Sequence, residues 1–264
     1  DTPFCKRERA IIMGNASRRD QIYSLLEIHS QLSVSELAEQ FHVTETTIRR
    51  DLIEMEEGGE ILRKRGFAIL PNQGHHLSVR RRNIFQEEKQ RIAAKAMDLC
   101  KGVHSIALDS GTTVEEMTRL LISDMADRKL EIITCSLITA LESSKYFHTY
   151  VPNGMVFPGE FSICGMAMTD YLENITADIT FLGTNGISST PGLTVSYLPM
   201  LDVKHALMKC AAKRVALADS SKFTTRGLFT FCKYEELDVL ITVQTEQNAR
   251  ALDEIAKKTE IILA

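Results

Sequence analysis

Two groups of residues have the types and spacing to do chemistry. The first is Thr44, Thr46, Thr47, Arg49 and Arg50 within TETTIRRDL, followed by the basic run Arg63, Lys64 and Arg65. Guanidinium groups grip guanine edges or phosphates through paired hydrogen bonds, and hydroxyls reach bases and phosphates alike. Such a set reads duplex DNA if it projects from the start of one helix, with a basic hairpin laid along the backbone. The second group is a series of short polar stretches that each close an apolar run. They are Asp109-Ser110-Gly111-Thr112-Thr113, Thr134-Cys135-Ser136, Gly159-Glu160-Phe161, Gly183-Thr184-Asn185-Gly186 and Asp219-Ser220-Ser221-Lys222, with Lys204 between the last two. A glycine turn, hydroxyls and the N–H groups of a helix start make an anion site suited to phosphate. Any one stretch is more often an ordinary cap, and a single lysine is more often solvated. Five polar strand ends in register point to one phosphorylated, hydroxyl-rich small molecule, with Lys204 or Lys222 supplying positive charge.

The elements that position the first group can be read locally. Residues 17–29 form a helix with Ile22, Leu25 and Leu26 inside and Arg18 and Arg19 as a basic entrance. Ser33 with Glu36 three residues on is a capping box, and Leu37, Ala38 and Phe41 give the next helix its apolar stripe. His42-Val43 makes a turn, and Thr44 caps the following helix. There Ile48, Leu52 and Met55 recur at i, i+4 and i+7 and face the core, so Thr46, Thr47, Arg49 and Arg50 face outward. Gly58-Gly59 ends the helix, and the basic run lies on a hairpin. The pattern predicts a winged helix-turn-helix over residues 17–70, with Ser33, Thr44, Thr46, Thr47, Arg49, Arg50, Arg63, Lys64 and Arg65 against DNA. Exposed arginines on a helix pair can also be a solvated face or a protein-binding module. Capping, core stripe and basic wing agreeing with one another favour DNA.

Pro71-Asn72-Gln73-Gly74 breaks the pattern, and residues 71–85, including Arg80-Arg81-Arg82, read as a linker. From Gln86 a helix runs to about Cys100 with Ile92, Ala93, Ala96 and Met97 inside. Strand and helix then alternate: VHSIALDSG, LEIITCS, TYVPNGMVFPG, ADITFLGTNG, RVALADSS, LDVLITV and EIILA are strands, with helices from Thr113, over 137–144 and over 166–172. Near-continuous apolar strands between amphipathic helices predict a mostly parallel α/β sheet over residues 86–264. In such sheets ligands bind at the carboxyl ends of the strands, where the second group of residues lies.

The totals set bounds. At 264 residues the chain can hold two domains, and a net charge of −4 argues against indiscriminate nucleic-acid coating without excluding a clustered basic face. The six cysteines (Cys5, Cys100, Cys135, Cys164, Cys210 and Cys232) show no metal-binding spacing, which predicts buried free thiols in a reducing compartment. No metal or cofactor is expected. No apolar run approaches the ~18 residues of a membrane span and no signal peptide is evident, so a cytoplasmic protein is expected. The first twelve residues fit no element, and Met13 is expected nearer the natural start, unless the segment is an upstream extension.

TETTIRRDL resembles the recognition helix of the DeoR family of bacterial sugar-responsive transcription regulators. DSGTT, GEFSICG, FLGTNGI and DVKHALMKCAAKRVALADSSKF resemble that family's sensing domain, so the likeness spans residues 17–264. It implies a sensing domain of sugar-phosphate isomerase type, similar in fold to ribose-5-phosphate isomerase A, and a phosphorylated sugar effector. By position it implies a pocket of Asp109, Gly111, Thr112, Thr113, Ser136, Gly159, Thr184, Asn185, Lys204 and Lys222. It further implies a dimer or tetramer on double-stranded operator DNA, and repression of a carbohydrate catabolic operon relieved by effector. Cys135 stands where the family usually has Asn, Pro158 where a second glycine is common, and Phe67 where the wing usually has glycine. The alternative is a sugar-phosphate isomerase with an appended winged helix. Enediol chemistry needs a carboxylate base, and Gly183-Thr184-Asn185-Gly186 supplies none, which leaves Asp109 and Glu160.

Overall fold

The computed structural model describes residues 18–29, 31–70, 84–157 and 160–264. The chain divides into two compact units, Asp1–Arg81 and Arg82–Ala264. Ser17, Cys5, Gly159 and the expected linker up to residue 83 lie outside the described residues.

In the first unit, α1 (Arg18–His29) is followed by β1 (Gln31–Ser33), α2 (Val34–Gln40), α3 (Glu45–Glu57), β2 (Leu62–Lys64) and β3 (Phe67–Ile69). The expected stripes are buried: Ile22, Leu25 and Leu26 of α1 pack with Leu37, Ile48, Leu52 and Met55 in one core. Each such aliphatic side chain contributes about 1.5–3 kcal/mol by leaving water. Arg65 and Gly66 both have positive φ, the geometry that closes a two-residue hairpin between β2 and β3. The wing gains a third strand that periodicity could not show, because β1 is only three residues long and pairs antiparallel with β3.

The second unit opens with α4 (Gln86–Asp98), β4 (Ser105–Leu108), α5 (Thr112–Met125), β5 (Glu131–Thr134), α6 (Leu137–Ser143) and β6 (His148–Tyr150). A hairpin of β7 (Met155–Phe157) and β8 (Ser162–Cys164) precedes α7 (Met166–Leu172), β9 (Ala177–Leu182) and β10 (Gly192–Val195). Then come α8 (Leu198–Lys209), β11 (Ala211–Ala218), β12 (Phe229–Lys233), β13 (Val239–Thr242), α9 (Ala249–Ile255) and β14 (Glu260–Leu263). Seven strands form one sheet in the order β14-β13-β11-β9-β4-β5-β6, every described pair parallel. Side chains alternate between its faces. Ile106, Leu108, Val215, Leu217, Val239 and Ile241 meet the α4–α5 layer, while Ala107, Ala216, Ala218 and Leu240 meet α7 and α8. Two buried faces explain why these strands read as unbroken apolar runs.

Two expectations change. TYVPNGMVFPG is not one strand: Pro152 cannot donate to a ladder, so β6 stops and the chain re-enters a separate hairpin as β7. There Gly154 passes so close to β8 that a Cβ would fall 2.5 Å from the Cys164 carbonyl oxygen. Glu160-Phe161 therefore leads into β8 and does not end a strand of the parallel sheet. The second change is the antiparallel pair β10–β12, unforeseen because the residues from Gly192 and from Phe229 lie in mixed, glycine-broken sequence.

Candidate functional site

The first candidate surface is built by α3. Thr44 has extended backbone angles and its hydroxyl accepts the Thr47 N–H at 3.3 Å, which starts the helix where the sequence predicts. With Ile48, Leu52 and Met55 inward, Thr46, Arg49 and Arg50 are exposed and Thr47 half-buried. Arg49 is held at 2.9 Å by Glu45, one turn earlier. Ser33 completes the capping box, since its N–H donates to Glu36 Oε2 at 2.7 Å and its hydroxyl accepts the Glu36 N–H at 3.2 Å. That hydroxyl and N–H hold the Glu36 carboxyl below the usual range. Ser33 is thus occupied within its own helix start.

Three further basic residues have carboxylate partners on α3. Arg63 pairs with Glu56 at 2.7 Å and lowers that carboxyl's pKa. Arg18 and Arg19, expected as an open entrance, reach Asp51 at 2.5 Å and Glu54 at 2.8 Å, both on α3. Lys64 and Arg65 stay exposed at the wing tip. Glu45 was missed; an i, i+4 Glu–Arg spacing was the signal.

The second site lies at the carboxyl edge of the parallel sheet. Strand order reverses between β4 and β9, because the chain builds outward from β4 through β5 to β6, then returns to β9 on β4's other side. That crevice is where doubly wound sheets take ligands. Asp109 follows β4 and Gly183 follows β9; the Gly183 N–H donates to Asp109 Oδ2 at 2.8 Å. Lys204, from α8, ion-pairs with the same oxygen and donates to the Gly183 carbonyl at 2.7 Å, its ammonium 5.2 Å from the Phe231 ring centre. Asp109 is fully buried and Lys204 nearly so. Lys204 therefore clamps the crevice and does not present an open charge, contrary to the sequence expectation. The Cys135 thiol points at Asp109 Oδ1 from 3.9 Å, and burial, aided by that carboxylate, pushes its pKa up to about 12.

The other expected residues arrive at the same edge in different roles. Gly111 precedes α5 with φ 143° and accepts the Glu115 N–H at 2.9 Å; Thr112 is half-buried and Thr113 buried. Ser136 caps α6 through the Thr139 N–H at 3.2 Å. Thr184 and Asn185 knit their loop: the Thr184 hydroxyl bonds the backbones of Gly186 and Thr194, and Asn185 Oδ1 accepts the Ser196 N–H at 3.0 Å. Lys222, half-buried, sits 3.7 Å from Asp219. Missed there were three residues. Ser162 is a fully buried hydroxyl with no hydrogen-bond partner among the described residues, bridged to Ser136 at the end of β5. Glu88 accepts the Ser220 N–H at 2.8 Å and its hydroxyl at 2.9 Å. Lys89 donates to the Ile84 carbonyl at 2.8 Å, and burial pushes its pKa down to about 8 despite Asp219. Lys89 falls in register with Ile92, Ala93 and Ala96, a charge inside an apolar stripe that was legible as an anomaly.

Comparison with known proteins matches residues 18–74 to the DeoR-like helix-turn-helix domain and residues 84–244 to the DeoR C terminal sensor domain. The HTH-type transcriptional regulator GolR of Listeria innocua is 30% identical over 85% of this chain and 89% of its own. The glycerol-3-phosphate regulon repressor of Escherichia coli is 29% identical over 87% and 91%. Among solved structures, ribose 5-phosphate isomerase A from Methanocaldococcus jannaschii covers 52% of this chain and 54% of its own at 20% identity and a TM-score of 0.37.

Proposed function

Since this chain belongs to the DeoR family of transcriptional regulators, we propose that it represses a carbohydrate-related operon and releases it when a phosphorylated sugar enters the second unit. The observation that carries the DNA half is α3, capped at Thr44 and buried along one stripe, with Thr46, Arg49 and Arg50 outward. A homo-oligomer, dimer or tetramer, would set two such helices in successive major grooves, about 34 Å or a multiple apart. Lys64 and Arg65, with no carboxylate partner among the described residues, take the phosphate backbone; Arg63 joins them only by exchanging Glu56.

The effector half rests on the switch-point crevice. Hydroxyl, glycine and lysine groups after β4, β5, β9 and β11 share one sheet edge, with α5's amino end supplying N–H groups to a phosphate. The stretch after β9 offers hydrogen bonds and no carboxylate base, and Asp109 is held by Lys204, which favours binding over isomerisation. Glu88 ties α4's first turn to Ser220, just after β11 at that same edge, and α4 follows the linker in sequence. An effector that shifts the Asp219–Lys222 stretch would thus act on the segment leading to the DNA-binding unit, if its affinity differs between the two states. No helix among the described residues is long and apolar enough to cross a membrane.

The test is an anisotropy titration of duplexes from the gene's own upstream region, with and without a panel of aldose, ketose and glycerol phosphates. Binding lost in Arg49→Ala/Arg50→Ala and weakened by one phosphate supports the reading. Binding that survives the double substitution overturns the recognition surface, and turnover of any sugar phosphate overturns the regulator-only reading.

A further inference from the structure

We propose that Glu45 is a specificity-determining residue: it positions the Arg49 guanidinium as the base-reading fork of α3. This rests on the DNA-binding reading above and adds the residue that sets its selectivity. Glu45 is the first residue of α3, and its Oε2 holds Arg49 Nη2 at 2.9 Å, both side chains half or more exposed. The Arg49 side chain also lines a crevice of about 150 Å³ between helix and wing, shared with Val34, Gly66 and Phe67. The guanidinium is therefore steadied at its tip by a carboxylate, and the residue borders the crevice beside the wing. Arg50, one residue on, is exposed and has no ion pair among the described residues.

That difference matters for recognition. Reading guanine demands two parallel hydrogen bonds from one guanidinium edge, so the fork must be held in plane; a phosphate accepts a charge from many directions. A free arginine loses rotamer freedom on docking, and one already oriented loses less. The carboxylate has a second effect. Facing the duplex, it repels phosphates wherever Arg49 finds no base partner, so it weakens wrong complexes more than the right one. A carboxylate in a helix's first turn also suits the helix dipole. If that were its whole role, removing it would lower stability and leave base preference unchanged.

The experiment selects a binding site from a pool of duplexes with a randomised core, then scans that site by single base-pair changes. Wild type, Glu45→Ala, Glu45→Gln, Arg49→Ala and Glu45→Ala/Arg49→Ala are titrated at two salt concentrations, with folding checked by circular dichroism. The expected result for Glu45→Ala is a fall of about five- to tenfold in discrimination, confined to the base pair that Arg49→Ala also ceases to read. Affinity for non-cognate duplex should rise about two- to threefold at low salt, since one repelling charge is gone. Glu45→Gln, which keeps a neutral acceptor, should fall between. In the Arg49→Ala background, Glu45→Ala should change discrimination no further. An unchanged ratio, a uniform loss at all positions, or an equal loss without Arg49 overturns the inference while the DNA-binding reading stands. A wild-type protein that prefers no duplex overturns both.

Discussion

Lys204→Met is the perturbation that best separates a clamp from an open effector ligand. In the folded protein the Lys204 ammonium bonds Asp109 and, at 2.7 Å, the Gly183 carbonyl, with both charged groups out of water. The substitution keeps the stem's volume and removes the cation. Asp109 then faces the Gly183 N–H at 2.8 Å and the weak Cys135 thiol at 3.9 Å, a buried carboxylate without its counter-ion. Breaking such a pair costs about 3–5 kcal/mol, a large part of the roughly 5–15 kcal/mol that folded domains possess. Asp109→Asn should cost a similar amount from the other side. Asp109→Asn/Lys204→Met together should cost far less than the sum, with a coupling of about 3 kcal/mol, because no unpaired charge remains. Urea unfolding followed by circular dichroism gives the energies. Hydrogen exchange on peptides spanning β4 and β9 shows whether the loss opens the crevice. If each single change cost under about 1 kcal/mol and the two added, Lys204 would be swinging free at the surface, and the clamp would be refuted.

Two further outcomes follow from the perturbed groups. Lys89 has a folded pKa of about 8 against an ordinary value above 10, so between those values the unfolded chain binds more protons. Its contribution is most favourable above the unfolded pKa and is lost as pH falls through the folded one. Wild-type stability measured relative to Lys89→Met should therefore rise by about 3 kcal/mol at most from pH 7 to pH 10.5; a flat difference would show that Lys89 is solvated. Burial pushes the thiols of Cys100, Cys135 and Cys232 up to about 12, Cys210 to about 11, and raises Cys164. Iodoacetamide at about pH 8 should leave all five unmodified in the native protein and label them in urea, whereas rapid native labelling of Cys135 would show the crevice opening.

What was legible in the sequence follows from range. Caps and stripes are local, so Ser33–Glu36, Thr44 and the Ile48–Leu52–Met55 face could be placed to the residue. The parallel sheet was legible because burial on both faces writes itself as unbroken apolar runs. The sequence also put the polar stretches after β4, β5, β9 and β11 at one sheet edge, since parallel strands must end together. It could not say which way their side chains turn. Thr184 looks like a ligand group and in fact bonds its own loop's backbone. Lys204 and Asp109 are 95 residues apart, and nothing in either neighbourhood shows that they satisfy each other. Ser162 sits against the end of β5 only because of the β7–β8 hairpin, whose first strand the sequence pattern runs together with β6.

The same limit hid the electrostatics of α3. Its sequence, ETTIRRDLIEMEE, holds five carboxylates against two arginines, a poor charge for a helix proposed to enter a groove lined by phosphates. The folded unit brings in three arginines from elsewhere: Arg18 onto Asp51, Arg19 onto Glu54 and Arg63 onto Glu56. Together with Glu45 held by Arg49, four of the five carboxylates are answered, and the remaining one, Glu57, stands at the helix's far end. Arg18 is the most consequential of these, because Asp51 is buried and loses most if left unpaired. The surface pairs are individually weak in water; their effect is to offset the helix's acidic groups and leave the exposed Arg50 outside any ion pair among the described residues. Net charge summed over the chain misses this, because what a duplex meets is the residual charge after internal pairing. A protein of net charge −4 can therefore present a cationic recognition face without any excess of basic residues.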